Sequence, residues 1–354
     1  MKNSVVFAIV LLISCFQLFS SESGQTYSID PIRTIGDDIS DDYFFVRITS
    51  GIISSNRDIF VGDTGGKFIA KYSWDGKFIK RIGQAGQGPG DFLTIFNFNF
   101  VKSNLTTYDV FNRRIVVLNR DLDILDYIKI PSPVLSGNII PIRGNRFLCS
   151  FHGLRATNGR GRIGFIDAEG KLGHCFFRRD QFGNTSMTRD DLKWALNVMV
   201  NKLLTGYDEQ SDTILAGYEY PAIPANFFLL NSKGKIKKIF CLKKDQNLIF
   251  PEYRRHFPIK APSTPIKYLI VRSILNHKNN FLVLTSIRET FKDVSRDISS
   301  TCHVISSEGL EKARIEMETG SRFFNITDDG YIIGKNEQDE IPKVHIWRLI
   351  QKGE

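Results

Sequence analysis

Arg47 and Arg272 fall on segments that read as innermost strands of a repeated β unit, where two guanidiniums facing one channel could clamp a carboxylate such as a uronate. The blander alternative for both is a salt bridge between neighbouring units. A second group, Tyr253, Arg254 and His256, lies in a proline-containing stretch, 243–265, that reads as a long loop and combines a ring, a cation and a titratable imidazole. These five residues form the candidate ligand site. The same inner segments carry Asn97, Asn99, Asn138 and Asn325, which are further polar groups for a channel.

Other chemistries fail on spacing. The six histidines, His152, His174, His256, His277, His303 and His345, make no HExxH and no pair at helical ligand spacing. A metal centre would therefore need ligands converging from separate units, and no metal or cofactor is assigned. No GxSxG is present, which removes the commonest esterase signal. Gly83, Gly86 and Gly88 lack the GxGxxG spacing of a phosphate cradle, and Ser73-Trp74-Asp75-Gly76 is out of register for a sialidase Asp-box. Formal charge is +9, but the cations are dispersed along strands (Lys77, Lys80, Arg81; Lys233, Lys235, Lys237, Lys238), as on a solvated sheet edge. A nucleic-acid partner is not expected.

The elements that must position these side chains recur along the chain. The unit is a short apolar strand, a second apolar strand ending in a polar-glycine turn, and a third strand alternating with Lys or Arg. Its clearest copy runs Asp58 to Asp63, Lys67 to Ser73, the turn Trp74-Asp75-Gly76-Lys77, and Phe78 to Gly83. Asp-Gly between alternating runs is a strong hairpin signal. Later copies turn at Arg120-Asp121-Leu122-Asp123, Ala168-Glu169-Gly170-Lys171, Asn231 to Lys235 and Ser306-Ser307-Glu308-Gly309. The last copy stops after Val344 to Ile350, where its outer strand should begin, while Tyr27 to Ile35 has strand character and no unit of its own. The reading is an all-β, six-bladed β-propeller of four-stranded antiparallel blades, with the N-terminal strand closing the last blade. It occupies 25–354 as one domain and is expected to be a monomer.

Two insertions interrupt the repeat. In 178–207, Thr188-Arg189-Asp190-Asp191 reads as a helix start, and Leu192, Ala195, Leu196, Met199, Val200, Leu203 and Leu204 follow at helical spacing. The other insertion is 243–265. Residues 1–20 read as a signal peptide, with Lys2 before the apolar run Val5 to Ile13. Two exits stay open: ordinary cleavage near Ser20, Ser21 and Ser23, or a lipoprotein signal cut before Cys15, which would then be lipidated. The expected address is export, to the periplasm or as an outer-membrane lipoprotein, with membrane contact only through that anchor. Cys149, Cys175, Cys241 and Cys302 are widely spaced in strand-like surroundings and read as buried free thiols rather than disulfides.

The run Lys80-Arg81-Ile82-Gly83-Gln84-Ala85-Gly86-Gln87-Gly88-Pro89-Gly90-Asp91-Phe92 resembles the blade-to-blade connection of NHL-type propellers. The chain as a repeat pattern resembles exported six-bladed propellers of Gram-negative bacteria. The resemblance implies a propeller whose ligand, a small molecule, glycan, peptide or protein, binds on one face at the cell envelope. Its alternative is a metal-dependent lyase or lactonase, using calcium or zinc in the channel mouth.

Overall fold

The computed structural model describes residues 26–36, 44–130, 136–144, 146–151, 162–176, 203–219, 226–242, 266–291 and 294–352. Tyr253, Arg254, His256, Cys15 and residues 1–20 lie outside them. The described strands form six four-stranded antiparallel sheets arranged as blades. Blade 1 is typical: inner strand Ile48–Ile53, then Ile59–Asp63, Phe68–Tyr72 and outer strand Phe78–Ile82. The inner strands of blades 2 to 6 are Phe96–Val101, Ser136–Ile142, Leu203–Asp208, Ile266–His277 and Ser321–Ile326. In blade 6 the outer strand is Thr26–Ile35, paired with Val344–Lys352. The ring is therefore closed as the incomplete sixth repeat predicts.

Blades stick together because their middle strands present apolar residues to both neighbours, while outer strands such as Phe78–Ile82 alternate half-buried and exposed positions. Ile52, Phe60 and Ile69 of blade 1 pack with Phe98, Leu105 and Val116 of blade 2, and the fully buried Phe92 of the connection fills the gap between them. The glycines of that connection serve the fold. Gly83 has φ +118°, and a Cβ there would lie 2.5 Å from the Lys67 carbonyl oxygen. The amides of Gly86, Gly88 and Gly90 donate to the Phe92 carbonyl, the Asp91 carboxylate and the Tyr127 hydroxyl, so the loop is folded on its own donors.

A carboxylate locks the start of the inner strand in blade 1. Asp63, fully buried at the end of the second strand, accepts from the backbone amides of Val46 (2.5 Å), Arg47 (2.9 Å) and Gly66 (2.9 Å). Asp109 repeats the device in blade 2, accepting from the Thr94 amide at 3.0 Å and from Asn112 Nδ2 at 2.6 Å.

Two features depart from the sequence reading. Leu203 and Leu204, placed on a helix by their spacing, begin the inner strand of blade 4, where Leu203 is buried against blade 3 residues Leu148 and Phe165. An apolar run this short fits a strand as well as a helix, and pairing with Thr213–Tyr218 decides it. Blade 5 has much longer strands than its repeat suggests: Asn280–Phe291 and Val294–Ser306 continue as a polar ribbon beyond the ordinary blade length. Cys149, Cys175 and Cys302 are buried thiols. Cys149 and Cys175 both pair with Gly164, one on each side, which sets them two strand spacings, roughly 9.6 Å, apart and beyond disulfide reach.

Candidate functional site

The six inner strands run side by side around a channel with two mouths. On the side where inner strands turn into second strands, through short turns such as 54–58 and 327–330, lies a basin of about 710 Å³ lined by residues from all six. Its polar groups include Asn97, Asn99, Asn276, Asn325 and Tyr207, beside the rings of Phe98, Phe100 and Phe324. Arg57, Lys102 and Arg120 stand against Asp328 and Asp329, so charge is nearly balanced. Arg57 is held to Asp329 at 2.5 Å and stacks on Tyr331, its guanidinium 4.1 Å from the ring centre.

The channel floor is built by a bulge. Asn97 takes φ +56°, a conformation that asparagine tolerates better than most residues, at a register shift between Phe96 and Asn99. Asn99 Nδ2 then donates to the Asn97 and Ile139 carbonyls, both at 3.0 Å, and Asn325 Nδ2 of blade 6 reaches the Phe98 carbonyl of blade 2 at 3.2 Å. Asn97, Phe98, Ile274, Leu275 and Phe324 line both mouths and form the constriction between them.

The opposite mouth, on the side where inner strands begin, is a cavity of about 390 Å³. It brings Arg47 and Arg272 together, with Arg322, Lys335 and Glu337. The two arginines differ in state. Arg47 is exposed, while the Arg272 side chain is 4% exposed, bonded to Asp297 and 3.3 Å from Glu337. Arg272 thus makes the inter-blade ion pair of the blander sequence reading and also lines the channel. Glu337 further pairs with Arg322 at 3.1 Å; burial pushes its carboxyl up, but Arg272, Arg322 and Lys335 together hold it below the usual range.

Arg322, Lys335, Glu337 and Asp297 were not among the residues singled out from sequence. Arg322 stands directly opposite Lys335 across the first hairpin of blade 6 only because the register shifts between Phe323 and Asn325, so regular alternation gives no signal for the pair. Asn138 pairs with Ser150 on the inner strand of blade 3, as its position in the repeat implies.

A relay-like arrangement elsewhere is structural. His303 Nδ1 meets Glu311 at 2.7 Å and its Nε2 meets Thr285 Oγ1 at 3.0 Å, but Thr285 and His303 are buried inside blade 5. Burial pushes the Glu311 carboxyl up, and hydrogen bonds from His303 and Arg314 outweigh it, bringing the pKa down to about 2. An acid pKa lowered on folding contributes stability that is complete above the unfolded value near 4.5 and lost as pH falls toward 2. Denaturant titrations from pH 5 to pH 2 are expected to lose about 2 kcal/mol through this group after discounting for partial exposure, a loss that Glu311→Gln removes. Among the described residues, no group of three or more His, Cys, Asp or Glu is placed to hold a metal ion.

Comparison with known proteins gives the same architecture. A family model described as a 6-bladed beta-propeller, DUF5128, matches residues 38–191. No curated protein matches. A solved member of the DUF4221 family from Bacteroides vulgatus superposes with TM-score 0.58 at 9% identity, covering 92% of this chain and 98% of that one. A protein from Bacteroides fragilis NCTC 9343 described as exported gives 0.56 at 9% identity, over 95% and 97% of the two chains. The WD40 repeats of RRP9 give 0.52 at 10% identity, over 92% and 100%. At such identities the likeness is one of fold, and by fold the chain is a six-bladed β-propeller.

Proposed function

We propose that this protein is an exported binding propeller of the bacterial cell envelope that holds a neutral carbohydrate in its wider mouth. The observation that carries the reading is the basin itself, where the inner strands of blades 2, 5 and 6 present amides beside half-buried rings with nearly balanced charge. Planar amides match pairs of sugar hydroxyls, and rings match the apolar face of a pyranose. Asn276 on the basin wall supports this reading: its Oδ1 is a buried acceptor without a hydrogen-bond partner among the described residues, and a small turn of the side chain would offer it to a sugar hydroxyl. Export rests on the apolar N-terminal run after Lys2, with ordinary cleavage and lipidation at Cys15 both open.

The test is calorimetric titration of the purified protein with a panel of neutral oligosaccharides. Binding is expected for at least one, weakened tenfold or more by Asn276→Ala and by Tyr207→Phe. No binding across the panel, or unchanged affinity in both variants, sinks the proposal. Binding abolished by a chelator and restored by calcium, with turnover of the sugar, would favour the metal-dependent lyase reading instead.

A further inference from the structure

The narrower mouth holds more positive charge than its own carboxylates neutralise. Asp297 and Glu337 are shared among Arg272, Arg288 and Arg322: Asp297 bonds Arg272 and, at 2.7 Å, Arg288, while Glu337 lies 3.3 Å from Arg272, 3.1 Å from Arg322 and 3.8 Å from Arg288. Two negative charges thus serve three guanidiniums. Arg47 and Lys335 add two further cations, and neither pairs with a carboxylate among the described residues.

The placement of Lys335 is costly in a protein with no ligand. It is cross-strand partner to Arg322 in an antiparallel pair, so the two side chains leave the same face of the hairpin, and like charges directly opposed destabilise a sheet. Burial lowers the pKa of Lys335, and repulsion from Arg322, Arg272 and Arg47 adds to the effect against a partial offset from Glu337. A purely structural hairpin would have an acid or a neutral residue at one of these two positions.

We propose that this mouth is a binding site for a small ligand bearing an oxyanion, gripped by Arg47, Arg322 and Lys335, with Arg272 fixed beneath it as a pre-positioned cation. A carboxylate or phosphate accepts several charge-assisted hydrogen bonds at once and relieves the repulsion between Arg322 and Lys335. A cavity of about 390 Å³ suits a monosaccharide-sized acid rather than a polymer. The constriction at Phe98 and Phe324 separates it from the wider mouth, so this site stands or falls independently of neutral carbohydrate binding there.

The experiment compares the full protein with Lys335→Met, Arg47→Gln and a surface-charge control, Lys77→Gln, by calorimetry and thermal unfolding at low salt. The probes are glucuronate, glucose 6-phosphate and glucose. At least one of the two acids is expected to bind tenfold or more tightly than glucose and to raise the melting temperature, and which acid does so identifies a sugar acid or a phosphorylated sugar as the source of the oxyanion. Lys335→Met and Arg47→Gln each weaken that binding at least tenfold, and Lys77→Gln leaves it unchanged. Lys335→Met also raises the melting temperature of the ligand-free protein, because it removes one member of the opposed pair; a residue retained for folding would give the opposite sign. The proposal is overturned if neither acid binds better than glucose, if both site variants bind as the parent does, or if Lys335→Met melts lower than the parent without ligand.

Discussion

Asp63→Ala is expected to lose about 3 kcal/mol of stability, the cost of stranding backbone donors in a buried site, and to melt about 4 °C lower. The carboxylate accepts from Val46, Arg47 and Gly66, tying the start of the inner strand to the loop that follows the second strand. Asp63→Asn is expected to fall between parent and alanine. Its amide oxygen can replace the atom serving Arg47 and Gly66, but its NH₂ then faces the Val46 amide, donor against donor. Chemical denaturation of the three proteins checks the order, and equal stability of Asp63→Ala and the parent would show that the latch carries no load.

Arg272→Met is expected to cost about 3 kcal/mol by the same assay although it preserves side-chain volume, because breaking a buried ion pair leaves its partner's charge uncompensated. Asp297, whose side chain is 3% exposed, would keep only Arg288, and Glu337 would lean on Arg322. Combining Arg272→Met with Asp297→Asn should cost less than the sum of the two single changes, since the second neutralises the charge that the first leaves behind. Additive losses would mean that the two side chains are not coupled. Because Arg272 carries this structural role, Lys335 and Arg47 are the cleaner probes of ligand binding in the narrow mouth.

The propeller was legible because its turns repeat a chemical requirement. Gly76, Gly170, Gly234 and Gly309 occupy equivalent turns and all have positive φ, between +77° and +87°. Blade 2 has Leu122 at that place, with φ +62°, so the repeat persists even where its residue signature lapses. The missing outer strand of the sixth repeat likewise pointed to the N-terminal segment. Counting places Arg47 and Arg272 on inner strands; the structure sets Arg272 within that of blade 5 but Arg47 just before that of blade 1, and brings both to one mouth. Lys335 and Glu337 could not be found this way. Lys335 lies near the end of a second strand and Glu337 just after it, and their relation to Arg322 depends on a register that shifts between Phe323 and Asn325. The long ribbon of blade 5 was hidden for a related reason: its extension carries Arg288, Glu289, Arg296 and Asp297, whose pairing across the hairpin replaces the apolar alternation that marks the other strands.

Closure of blade 6 also has a consequence in time. Thr26 pairs with Lys352 and Ile35 with Val344, so the first described strand has no partner until the last has been made. At ordinary rates of synthesis that delay is on the order of tens of seconds, during which an unpaired strand could capture another chain. The strand contains Asp30, Pro31 and Arg33, two charges around a residue with no amide hydrogen, and the pairing slips there in the finished ring. Charges and a proline within a strand disfavour edge-to-edge pairing, so the same residues that interrupt the register in the finished ring also guard the first strand against aggregation while it waits for its partner.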